Sequence, residues 1–149
     1  MKNNMYVGVA LLNSYTKQLL VERFVTSPTN QMTLGIPTCV ITDKDDPLLC
    51  AWSLVNTLTQ LEPEDFHWTN LGPVEWSTCN DKTTIVHLYL ADKLSSDHLH
   101  LTSSSLQEMP FLNVLQMVQD SNSHLFKDMA SMVAVLKVFV QSLCKTIAY

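Results

Sequence analysis

Glycine is nearly absent from this chain: Gly8, Gly35 and Gly72 are the only three in 149 residues. A phosphate-cradling loop needs several glycines close together so that backbone N–H groups can converge, and none can be built here. Cations are also scarce, nine Lys and Arg against fourteen Asp and Glu, and they form no basic run. Nucleic acid is held largely by clustered cations, so DNA binding has no support, and RNA gains none from charge. The four cysteines, Cys39, Cys50, Cys79 and Cys144, form no CxxC pair. Neither a zinc site nor a disulfide framework is indicated, and reduced core thiols are the expectation. The longest apolar run, "MVAVLKVFV" at 132 to 140, contains Lys137 and falls short of a bilayer span. The opening "MKNNMYVGVALL" turns polar too soon for a signal peptide or an anchor. The expectation is a protein of the cytoplasm or another reducing compartment, with no membrane partner.

What is present is apolar: 46% of the residues are hydrophobic and 15% charged, which suits one globular domain with a substantial core. "MYVGVALLN" (5 to 13) and "KQLLVERFV" (17 to 25) read as a hairpin. "QMTLGIPTCVITD" (31 to 43) is strand-like but broken by Gly35 and Pro37, so a bent or edge element is expected. From 47 to 61 apolar residues recur at three and four. With Asp46 as cap and Pro47 at the first position, this predicts a helix. Residues 65 to 79 alternate around a Gly-Pro bend, and 82 to 92 form a β-branched strand. A serine-rich loop leads to a helix from 104 or 105 to about 119. A last helix, about 124 to 147, is apolar nearly all round and so expected to be wholly buried, in its own core or against another subunit.

This order resembles that of Nudix domains over roughly residues 5 to 92. "YVGVALLNSYTKQLLVERF" is similar to their opening hairpin, and "GIPTC", the acidic loop, the helix and "HWTNLGPVEWSTCNDKTTIVHLYLAD" follow in that family's order. The resemblance implies an α/β/α sandwich with a mixed sheet, a central box helix and two C-terminal helices. It also implies a signature of Gly, five residues, Glu, seven residues, then Arg-Glu-apolar-x-Glu-Glu-x-Gly-apolar. With Ala51 and Val55 facing inward, Cys39 falls at the first Gly and Asp45 at the first Glu. Ser53 replaces the Arg, Leu54 the next Glu, Thr57 and Leu58 the paired Glu residues, and Gln60 the second Gly; Leu61 keeps the last apolar position. Family members hydrolyse nucleoside diphosphate derivatives with Mg²⁺ held by those glutamates. Leucine cannot ligate a hard dication, which wants oxygen. In this register the usual metal site is gone.

The other candidates divide between function and ordinary surface. Asp43, Asp45 and Asp46 form an acidic cluster, better explained as a solvated loop whose last member caps the helix. Glu62, Glu64 and Asp65 read as turn residues. Arg23, Glu22, Glu75 and Trp76 are the candidate ligand contacts, Arg23 for an anionic group. Trp52, Trp68 and Trp76 could stack on a base, Trp52 reading rather as a packing or interface residue, and His67, His87, His98, His100 and His124 form no ligand set. The leading expectation is an inactive Nudix-like binding or assembly module without a cofactor. Leu54, Thr57 and Leu58 would be its interface to a protein partner or a second copy, with a nucleotide or RNA end as the other ligand class. The alternative is an Mg²⁺-dependent hydrolase whose metal site is rebuilt from Asp45, Asp46 and Glu62, or with Glu75 in place of Glu62.

Overall fold

The computed structural model describes residues 4–26, 31–77, 82–95, 99–120, 125–126 and 128–147. Cys79, His98 and His124 lie outside the described residues, as does the side chain of Cys144. The opening hairpin forms as predicted, with β1 at Asn4–Asn13 and β2 at Gln18–Thr26. Asn13 shapes its turn by accepting hydrogen bonds from the backbone N–H groups of Tyr15 (3.0 Å) and Thr16 (3.3 Å), the local bonding that makes asparagine a turn residue.

The segment expected to be a bent or edge element is two strands, β3 (Gln31–Gly35), at the end of the sheet order, and β4 (Thr38–Ile41). Pro37 lacks an N–H and interrupts the ladder. The chain then moves from the edge of β2, where β3 pairs, to the edge of β1, where β4 pairs. After the helix α1 (Pro47–Thr59) come β5 (Phe66–Ser77) and β6 (Thr83–Lys93). β6 runs parallel to β1 from Asn4↔Thr84 to Leu12↔Asp92. β5 pairs antiparallel with β6 around a bulge at Asn70 and Gly72.

The helix predicted from 104 or 105 to 119 needs correction. Residues Leu106–Pro110 are a strand, β7, paired antiparallel with β2 from Gln18↔Pro110 to Glu22↔Leu106, and only Phe111–Gln119 are helical (α2). Pro110 pushes the residue before it toward extended backbone and cannot sit inside a helix, while the free edge of β2 supplies a strand partner. The last helix, α3, spans Met129–Ile147 rather than beginning near 124. Asp128 and Ser131 provide its cap, with the Ser131 N–H donating to Asp128 Oδ2 at 3.1 Å.

Among the described residues the sheet has seven strands, in the order β3-β2-β1-β6-β5, with β4 on β1 and β7 on β2. Alternate residues of the central strands face opposite sides. Val7, Val9, Leu11, Tyr89 and Ala91 face α1, where Ala51 and Val55 are buried. Ala10, Leu88 and Leu90 face α2 and α3, meeting Val114, Ala134, Val135 and Val138. This is a mixed sheet between helical layers, as the resemblance implies. α3 is not wholly buried within the chain: Leu136 (42%), Val140 (54%) and Leu143 (45%) remain exposed.

Candidate functional site

α1 starts as its sequence predicts. Asp46 accepts a hydrogen bond from the Leu48 N–H at 3.0 Å, and Pro47 sits in the first turn, so an orphan donor is satisfied. Asp45 folds back onto its own loop, accepting from the Thr42 N–H at 2.8 Å and the Thr42 hydroxyl at 3.1 Å. Asp43 is exposed. After the helix, Asp65 accepts from the Glu62 N–H at 2.8 Å, and Glu62 and Glu64 face solvent. Among the described residues no three His, Cys, Asp or Glu side chains gather as a metal-holding group, so Asp45, Asp46 and Glu62 are not brought together.

On the helix itself Leu54 and Leu58 are half-buried and pack on the α1-side core, while Thr57 is exposed. Leu99 and Leu101 join that same cluster. Thr102 ties their segment to the helix end. Its hydroxyl donates to the Thr57 and Leu58 carbonyls at 3.0 and 3.2 Å, and its N–H donates to the Leu58 carbonyl at 3.1 Å. Helix-terminal carbonyls have no partner within the helix, so this loop both satisfies them and takes up part of the leucine face. Cys39 and Cys50 are free and half-buried on this side. Burial pushes both thiols up, which keeps them protonated and poorly nucleophilic.

The four candidate ligand contacts separate. Glu22 lies between Gly35 and Leu106 in the sheet and is half-buried. Burial raises its carboxyl above the ordinary 4.5. Arg23 is exposed, and its guanidinium and backbone N–H donate to the Ser104 and Ser105 carbonyls, bracing the loop before β7. Glu75 is exposed on β5; Trp76 is half-buried and lines a cavity. Trp68 is a packing residue, donating to the Pro63 carbonyl at 2.9 Å and meeting Phe66 edge-on. Trp52 is half-buried, and its Nε1, like Lys93 Nζ, is buried without an acceptor among the described residues. His67 and His87 stand on β5 and β6, and His100 lies in a loop.

The cavity, about 500 Å³, lies on the sheet face opposite α1, beneath the start of α3. Tyr6, Phe24 and Trp76 give it aromatic walls, and Thr33, Thr38 and Thr84 line it with hydroxyls. Leu34, Ile36, Val86 and Ala130 add apolar surface, and Asp128 is the one charged lining residue among the described residues. A short relay fixes that edge. The Ile36 N–H donates to Ser131 Oγ at 3.0 Å, and the Ser131 hydroxyl donates to Asp128 Oδ2 at 2.6 Å. Of these residues the sequence pointed to Trp76 alone. Asp128 was missed because the last helix was expected to begin near 124, which placed this cap residue inside it. Tyr6 and Phe24 carried no local signal, because the wall is assembled from six strands and α3.

No protein-family model matches the sequence, and no curated protein matches it. Solved structures do. A NUDIX hydrolase from Nitrosomonas europaea superposes with a TM-score of 0.67 at 12% identity, over 94% of this chain and 90% of that one. The E. coli dihydroneopterin triphosphate pyrophosphohydrolase gives 0.68 at 9% identity, over 92% and 95%. The fold is Nudix-like. An ADP compounds hydrolase agrees, with a TM-score of 0.66 at 14% identity over 97% of this chain and 75% of that one. At such identity the likeness speaks for the architecture and leaves activity open.

In this Nudix-like frame Gln60 stands where the register places the signature's second Gly. Its backbone is left-handed, φ 62° and ψ 14°, a region that costs an L-residue roughly 1–2 kcal/mol. Gln60→Gly relieves that strain and is expected to raise stability in urea unfolding by about 0.5–1 kcal/mol, after the entropy that glycine loses on folding. A destabilised variant would contradict the register. Glu22 gives a pH signature. Its folded carboxyl is raised above 4.5, so the folded state holds a proton that the unfolded state releases. Stability from this group is present below the unfolded value and declines as pH rises from there through the raised folded value. Glu22→Gln is expected to flatten that decline in stability measured between acid and neutral pH; an unchanged profile would show that burial does not act on Glu22.

Proposed function

We propose that this chain is a Nudix-fold domain without hydrolase chemistry that acts as a binding module. The observation that carries the reading is the face of α1. At the three positions where the signature has glutamates, Leu54 and Leu58 pack into the core and Thr57 meets solvent. An apolar side chain offers Mg²⁺ no oxygen and displaces its water without compensation. The remaining acids support the same reading, since Asp45, Asp46 and Asp65 each accept a hydrogen bond within their own turn. Ligand recognition then falls to the cavity beneath α3. The exposed Leu136, Val140 and Leu143 of α3 support a protein partner, a second copy of the chain being the simplest. The hydrolase alternative is supported by the names of its structural neighbours.

Incubating the whole chain with ADP-ribose, a dinucleotide or a nucleoside triphosphate in Mg²⁺ or Mn²⁺ is expected to release neither phosphate nor a nucleoside monophosphate. A metal-dependent rate that Asp45→Ala abolishes would overturn this reading in favour of a hydrolase with a relocated metal site.

A further inference from the structure

A smaller cavity, about 230 Å³, sits between the turn of the opening hairpin, the end of β6 and α3. It shares no lining residue with the larger cavity and takes none from α1. Its walls carry one charge of each sign, Lys17 from the turn and Asp92 from β6. No ion pair forms between these two side chains. A space flanked by a cation and an anion that do not neutralise each other is complementary to a molecule carrying both charges.

Both charges start from fixed backbone. Asp92 lies in the ladder opposite Leu12 and His67, and the Ser14 hydroxyl donates to its Oδ1 at 2.6 Å. That bond orients the carboxylate and leaves Oδ2 to accept from a ligand. Lys17 has a left-handed backbone, φ 59°, and its carbonyl accepts from the Phe111 N–H at 2.8 Å. The turn that carries its side chain is thereby tied to the start of α2. Gln141 adds an amide able to donate to a carboxylate and accept from an ammonium. Leu12, Leu90 and Val138 supply apolar wall, suited to an aliphatic group. At the roughly 30 Å³ that a water takes up in the liquid, the space holds about seven or eight non-hydrogen atoms. We propose that this cavity binds a small zwitterionic α-amino acid with an aliphatic side chain, its ammonium at Asp92 and its carboxylate at Lys17. Because α1 takes no part, such binding is independent of whether the chain hydrolyses nucleotides.

The test is calorimetric titration of the whole chain at neutral pH with alanine, valine and leucine, each beside its carboxamide and its N-acetyl form. At least one free amino acid is expected to saturate the protein. Both of its derivatives are expected to bind more weakly by about tenfold or more, each having lost one charge-assisted contact. Lys17→Met is expected to weaken the amino acid by about tenfold and bring it level with its carboxamide. Asp92→Asn, which keeps an acceptor for Ser14, brings it level with its N-acetyl form. A merely structural role for either residue would weaken all three forms alike, and that result overturns the proposal. The ligand series on the natural chain decides the matter even if a variant fails to fold. No saturable binding by any of the three amino acids overturns the proposal, as does a carboxamide or N-acetyl form that binds as tightly as its parent. Saturable binding unchanged by both substitutions overturns it too, since the site then lies elsewhere.

Discussion

The parallel ladder between β1 and β6 sets the position of everything else. β1 is apolar on both faces, as a strand with a layer on each side must be: Val7, Val9 and Leu11 toward α1, Ala10 and Leu12 toward α3. Gly8 lets neighbouring side chains close in on it. A Cβ there would stand 3.0 Å from Ile36 Cδ1 and 3.1 Å from Leu88 Cδ2, closer than packed carbons ordinarily sit. Because both faces of this ladder have to be covered, the molecule has two distinct places where chemistry could be built: the surface of α1 and the gap between the sheet and α3.

The two places have gone opposite ways. On the α1 side, apolar side chains at 54 and 58 extend the core, and each methylene taken out of water contributes about 0.8 kcal/mol when fully buried. Thr102 then binds the segment from Leu99 to Thr102 across the end of the helix. A carboxylate at either of these half-buried positions would lose part of its hydration to that packing. On the α3 side the space has stayed open. The bonds from Ile36 through Ser131 to Asp128 tie the start of α3 to the chain between β3 and β4, and aromatic side chains from β1, β2 and β5 form the walls.

Much of this architecture could be read from the chain because its signals are local. Asp46 and Pro47 mark the start of α1 within two residues, and the alternation of 82 to 92 marks β6. The resemblance placed these elements in a Nudix-like order that the solved structures bear out. β7 was hidden because its identity depends on the open edge of β2, some ninety residues earlier; its own residues, beside serines able to cap a helix, read helically. Pro110 was the local clue against that. The cavity was hidden for a related reason. Tyr6, Phe24, Thr33, Trp76 and Asp128 come from five elements, and only the twist and register of the sheet bring them together. The apolar face of Leu54 and Leu58 was legible in the sequence, but not that Leu99 and Leu101 join the same cluster.

The central proposal is that α1 carries packing where the Nudix signature carries a metal site. The most direct measurement is Mn²⁺ binding to the whole natural chain by electron paramagnetic resonance, read as free ion lost on titration. The account predicts no saturable site, only the weak, salt-sensitive association expected of surface carboxylates. A saturable Mn²⁺ site that survives high salt and is lost in Asp45→Ala would contradict it.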